Sequence, residues 1–242
     1  MPRLALALTL ALASQAALAQ DTPDNRWHGG LSISGAFASG NTSSRTLAAN
    51  ADASRATAQD KISLYGIANY GRNKVDGIST TTADLLRVGG RYDFNLGPQW
   101  FSFGAAEGET NKAGGLRNRY NLTGGVGYHV VKNEANSWDV FGGLGYTATR
   151  LTDGSSANGL QVLLGEESSH KLSDTTTLKQ RFVYYPDGDD IGDRATFDAG
   201  LATTISGAWT LNTGLSSRYA SRVPAGTKKT DNLLTVGFGY KF

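Results

Sequence analysis

An all-β fold is predicted, a transmembrane antiparallel up-and-down β-barrel of about 12 strands. Three observations predict it. Segments of roughly ten residues alternate apolar and polar side chains to the last residue, with little of helical period between them. The second face of these segments carries Arg, Lys and Asp, which suits an aqueous lumen. The composition, 31 Gly, 10 Tyr and 9 Phe against 5 Pro and 1 Met, favours strands and turns over helices.

The chain opens with Arg3, an apolar run from Leu4 to Leu12, and Ala17-Leu18-Ala19 before Gln20. That order reads as a secretory signal with an A-x-A cleavage site, and the run is too short to span a bilayer as a helix. Residues 1–19 are therefore expected to be a cleaved signal peptide and residues 20–242 the outer-membrane barrel domain. The absence of Cys excludes disulfides, thiolate metal sites and cysteine nucleophiles. A formal net charge of +2 gives no reason to expect nucleic acid.

In order, WHGGLSISGAFASG sets Leu31, Ile33 and Phe37 against Ser32, Ser34 and Ala36, and TLAANADASR sets Leu47 and Ala49 against Asn50 and Asp52. ISLYGIANYG is ambiguous, with both faces partly apolar. ADLLRVGGRYDF opposes Leu86, Val88, Tyr92 and Phe94 to Arg87, Arg91 and Asp93. WFSFGAA is read with Phe101 and Phe103 on the apolar side, opposite Ser102 and Gly104. RYNLTGGVGYHV and SWDVFGGLGYTA place Arg119, His129 and Asp139 opposite Leu122, Val126, Trp138 and Leu144. LQVLLGEE follows more weakly. TLKQRFVYY opposes Lys179 and Arg181 to Leu178, Phe182 and Tyr184, and RATFDAGLATTI opposes Asp198 to Phe197 and Leu201. WTLNTGLSSRYA and NLLTVGFGYKF close the series. The odd-numbered connections read as mostly longer than the even-numbered ones, the outer-membrane arrangement with both termini periplasmic. A secreted sandwich would alternate too, but it would leave those charges on its surface.

Trp27-x-Gly29, Ser39-Gly40-Asn41-Thr42, Gly90-Arg91-Tyr92-Asp93, Gly125-Val126-Gly127-Tyr128 and the closing Asp231 to Phe242 resemble a bacterial family labelled salt-induced outer-membrane proteins. Its shared domain has unknown function. The resemblance implies an outer-membrane barrel and supplies no substrate or catalytic residues. It also implies an Asp in a charged segment after the fifth strand, where this chain has Glu107-Gly108-Glu109.

No catalytic, cofactor-binding or metal-ligating residue is assigned, and no cofactor is expected. His28, His129 and His170 make no His-x-Ser pair, and Ser168 with His170 has the reverse spacing, so an outer-membrane lipid hydrolase is the remote alternative. Asp187, Asp189, Asp190 and Asp193 form an acidic loop that fits solvent, or a divalent cation bridging lipopolysaccharides. Asp52, Arg87, Arg91, Asp93, Arg119, Asp139, Lys179, Arg181 and Asp198 are the lumen-facing candidates, pairing into a network or lining a narrow path with a weak anion preference. Gly237, Tyr240 and Phe242 resemble the C-terminal signal for barrel assembly. The expected function is a narrow porin-like channel or an osmotic, salt-responsive envelope protein without catalysis, at the cell outer membrane. A plugged structural barrel acting through its loops is the alternative. Expected partners are outer-membrane lipid and lipopolysaccharide, the barrel-assembly machinery, and small ions or solutes, with no nucleic acid.

Overall fold

The computed structural model describes residues 23–38, 42–75, 78–186, 192–221 and 229–242. The expected signal peptide lies outside these residues, as do Asp187, Asp189 and Asp190 of the acidic loop. Among the described residues there are twelve strands: β1 Trp27–Ala38, β2 Thr42–Ala56, β3 Asp60–Val75, β4 Ile78–Asn95, β5 Trp100–Asn111 and β6 Leu116–Lys132, then β7 Asn136–Leu151, β8 Ser156–Lys171, β9 Thr176–Tyr185, β10 Arg194–Ser206, β11 Trp209–Ala220 and β12 Thr230–Lys241. Each pairs antiparallel with its sequence neighbours, and β12 returns to β1, so the sheet is a closed barrel. One single-turn 3-10 segment, Lys112–Gly114, joins β5 to β6.

The faces follow the alternation, turned inside out relative to a soluble core. Leu31, Leu86, Leu122, Leu144, Val162 and Phe238 stand exposed on the outer wall. The ambiguous third segment resolves with Leu64 and Tyr70 outside and Tyr65 and Ile67 within. The fifth segment is inverted relative to its sequence reading. Phe101 and Phe103 are buried inside, while Trp100 is exposed and packs edge-on against outward Tyr128 at 5.1 Å. The neighbouring register forces this, because Ser102 sits opposite Val126 and Ala106 opposite Leu122, both exposed.

The loop asymmetry is narrower than the sequence suggests. Connections at the end carrying the termini are 57–59, 96–99, 133–135, 172–175 and 207–208, and those at 186–193 and 221–229 on the opposite end are longer. The third connection, expected to be among the longer ones, is short because the ladder continues on both sides of it, with Arg72 opposite Thr81 and Lys74 opposite Ser79. The β-branched run Thr80-Thr81-Thr82 suits a strand and extends it.

Aromatic side chains ring both ends of the outer wall. Trp27, Trp100, Trp138 and Trp209 cluster toward the terminal end, and Tyr70, Tyr120, Tyr146 and Tyr219 toward the other. Tyr120 to Tyr128 in β6 and Trp209 to Tyr219 in β11 separate the rims by about 26–33 Å of strand at ~3.3 Å per residue. A tilt of ~40° reduces this to roughly 20–25 Å of height, close to the apolar band of membrane barrels.

The seam is the shortest pairing in its neighbourhood, running only from Gly30 opposite Lys241 to Ser34 opposite Gly237. Beyond it Gly29 and Phe242 exchange both main-chain hydrogen bonds at 3.1 Å, and the Phe242 ring lies over the space a Cβ on Gly29 would take. Ahead of β1, the Arg26 N–H donates to Asp24 at 2.9 Å and the His28 ring lies 2.9 Å from the same carboxyl, holding it below the usual carboxylate range.

Deleting Phe242 removes both of those bonds from the seam. Assembled, heat-modifiable barrel, read as a mobility shift on unheated gels, is expected to fall well below wild type. Normal amounts of shifted protein would contradict this.

Candidate functional site

The site is the barrel interior. Its centre is built around Arg91 of β4. The guanidinium donates from Nε to Asp93 Oδ1 at 2.7 Å and from Nη1 to Glu167 Oε2 at 3.3 Å. It also lies 4.7 Å from the centroid of the Phe103 ring and 5.1 Å from that of Phe141. Arg181 of β9 shares Glu167 at 3.4 Å and faces Phe141 as well. Phe101, Phe103, Phe141, Leu163 and Val183 form one buried cluster beneath these cations. Delocalised guanidinium tolerates aromatic faces because it is weakly hydrated and the ring quadrupole attracts it.

Glycines on neighbouring strands make room for the rings. Phe101 lies opposite Gly127, Phe141 opposite Gly165 and Tyr65 opposite Gly89. A Cβ at any of the three would collide with its partner's ring. Large side chains therefore lie flat across the adjacent strand and fill the β3–β8 side of the lumen.

Farther from the termini a polar belt crosses the same wall. Tyr65 Oη donates to Glu107, and Asn121 Nδ2 donates to the same carboxylate at 3.1 Å. Thr147 bridges Asn121 at 2.8 Å and Gln161 at 3.0 Å, and Arg194 donates to Gln161. Arg87 pairs with Glu109 at 3.0 Å, and Arg119 reaches Glu109 at 3.7 Å. On the far wall Arg218 Nη2 donates to both Asp198 oxygens, at 2.8 and 2.9 Å.

Three cavities occupy the space left. A chamber of about 360 Å³ lies between the belt and Arg218, bordered by Arg87, Arg119, Arg181, Arg194, Asp198 and Lys179. A second, of about 400 Å³, runs to the terminal end along β1 and β10–β12, past Ser32, Asn50, Asp52, Ala202, Asn212 and again Lys179. A third, of about 290 Å³, opens at the terminal end on the β4–β8 side and meets the chamber at Arg91. The Arg91 cluster thus stands between two cavities, while the route beside Lys179 is lined mainly by small side chains.

Residues 31–242 match the model of a family described as proteins of unknown function, DUF481. The chain belongs to the DUF481 family. No curated protein matches it. Among solved structures, this DUF481 chain is similar to the NanC porin, at 12% identity and a TM-score of 0.51, covering 88% of this chain and 100% of that one. It is similar to the same degree, 12% and 0.51, to an outer membrane channel from Pseudomonas putida F1, covering 89% of this chain and 93% of that one. These likenesses show the fold, a closed barrel of the kind found in outer-membrane porins.

The structure places all nine lumen candidates on cavity walls, with Arg119 also pairing within the belt. Toward the terminal end, in the wall of the third cavity, Asp139 meets His129 Nδ1 at 2.7 Å, with the imidazole stacked on Phe101. The lumen candidates leave out Tyr65, Glu107, Glu109, Glu167, Arg194 and Arg218, which complete the pairs, although the alternation of the tenth and eleventh segments sets Arg194 and Arg218 on the polar face. Gly237 lies in the second cavity's wall, and Tyr240 packs outside against Trp209 at 5.5 Å. His170 Nδ1 pairs with Asn136 Oδ1 at 2.8 Å, not with Ser168. Asp193, the described end of the acidic loop, accepts from Tyr184 Oη at 2.9 Å.

Arg91→Met in this DUF481 barrel keeps most of the side-chain bulk but takes the guanidinium from Asp93 and leaves Glu167 to Arg181. Unfolding in denaturant is expected to show a loss of about 1–3 kcal/mol, less than in a close-packed core because Arg91 borders two cavities. Adding Glu167→Gln should recover part of that loss, and strictly additive losses would contradict a shared network.

Proposed function

We propose that this protein is a bacterial outer-membrane barrel that acts as a narrow pore for small hydrophilic solutes, with no catalysis of its own. The observation that carries the reading is the pair of lumen cavities that share Lys179, one reaching each end of the barrel beside the Arg91 cluster. Barrels of about twelve strands stand between side-chain-filled small barrels and wide porins, so partial filling leaves an off-centre path. The exposed apolar wall and the aromatic rims support placement in a membrane. The C-terminal Gly237, Tyr240 and Phe242 act in this reading as the label read by the barrel-assembly machinery, and lipid and lipopolysaccharide cover the wall. The family resemblance supports an osmotic or salt-responsive role, in which the pore would serve solute balance across the envelope.

A plugged structural barrel is the second reading, favoured by the Phe101–Phe103–Phe141 cluster that fills one side of the lumen. Planar-bilayer recording separates the two. Purified protein is expected to give small unit currents, and Ala202→Phe, which adds bulk in the second cavity, should lower them by roughly half or more. Silence of the wild type would overturn the pore and favour the plug.

A further inference from the structure

We propose that the chamber beyond the polar belt binds a small carboxylate-bearing organic anion through Arg194, an inference that rests on the pore reading and names what that pore holds. Eight basic side chains border the chamber against three acidic ones, Glu107, Glu109 and Asp198. Two carboxylates are shared: Arg87 and Arg119 both use Glu109, and Arg91 and Arg181 both use Glu167, while Arg91 also holds Asp93 and Arg218 holds Asp198. Sharing leaves an excess of positive charge on the wall.

Arg194 is where that excess is concentrated. Among the described residues no carboxylate lies within ion-pair distance of it. Its guanidinium donates to the neutral oxygen of Gln161 and lies 4.7 Å from the centroid of the Tyr185 ring. Its Nε is buried without an acceptor. Because guanidinium can only donate, the Gln161 oxygen must face it, which leaves Gln161 Nε2 as a second buried donor without an acceptor. A buried cation with open donors is costly unless an anion meets it.

The fork of a guanidinium matches a carboxylate in two parallel hydrogen bonds, and it is already held in place by Gln161 and Tyr185. Tyr65 and Tyr185 add flat apolar surface to the chamber, which suits an organic body on the anion. The chamber volume, about 360 Å³, is that of a small-molecule site.

The test uses the full-length protein purified in detergent, with potassium citrate as probe, titrated by calorimetry at low salt. Saturable binding is expected, weakened about tenfold or more by Arg194→Gln, since one charge-assisted pair is lost. Arg194→Lys keeps the charge but loses the fork, and an intermediate loss is expected. It also serves if Arg194→Gln fails the gel-shift check for assembly. Lys171→Gln, at the exposed end of β8, should bind as wild type. Equal citrate affinity in wild type and both Arg194 variants, or no saturation in wild type, overturns the site. Bilayer currents recorded on the same preparations keep the two readings apart. Conduction without Arg194-dependent citrate binding leaves the pore and removes the site, whereas Arg194-dependent binding without conduction leaves the site and removes the pore.

Discussion

Closure of the sheet is the constraint on which everything else depends. A strand ladder with both faces committed, one apolar and one charged, has no place for an open edge, because each N–H and C=O along it would be left unpaired. The short β1–β12 seam, finished by Gly29 and Phe242, supplies the last pairs. Once the sheet closes, the apolar residues can only face outward, and the interior receives whatever alternates with them. The lumen is therefore polar by necessity, and its problem is to pair charges where apolar bulk is scarce.

The interior solves this unevenly. On the β3–β8 side, aromatic rings lie across glycines and support guanidinium groups on their faces, so cations and rings fill space together. On the side of β1 and β10–β12, the inward residues are small, as at Gly30, Ser32, Gly200 and Ala202, and the wall stays open. This lopsided filling makes a barrel of modest circumference compatible with a path off its axis. It also explains why one residue, Lys179, borders both halves of that path.

Most of the fold was legible because period-two alternation is strong wherever one face is apolar and the other polar. The strand number, the closing strand and most faces followed from it. The fifth strand did not, since Trp100, Phe101 and Phe103 give both parities an aromatic claim. The deciding signal was present: a Trp at a strand end belongs to the rim, which sends Trp100 outward and Phe101 inward. Gly opposite an aromatic, as with Gly127 and Phe101, was a second signal, but it needs register, which a single sequence does not provide. Candidate charges were found on the right face, yet their partners were not, because Glu107 and Glu167 sit in strands whose parity was unread or weak. The expected outer loops were partly strand, since polar Thr and Lys can extend a ladder as readily as leave it.

The proposed pore requires a continuous aqueous path past Lys179. The chain has no Cys, so a single cysteine reports cleanly. Cysteine placed at Ala105, in the chamber, and at Ser32, in the cavity reaching the terminal end, can be exposed in intact cells to a small membrane-impermeant thiol reagent added from outside. Both positions are expected to be modified, Ser32→Cys more slowly. Modification at position 105 with none at position 32 would contradict the path and leave a barrel closed at its middle.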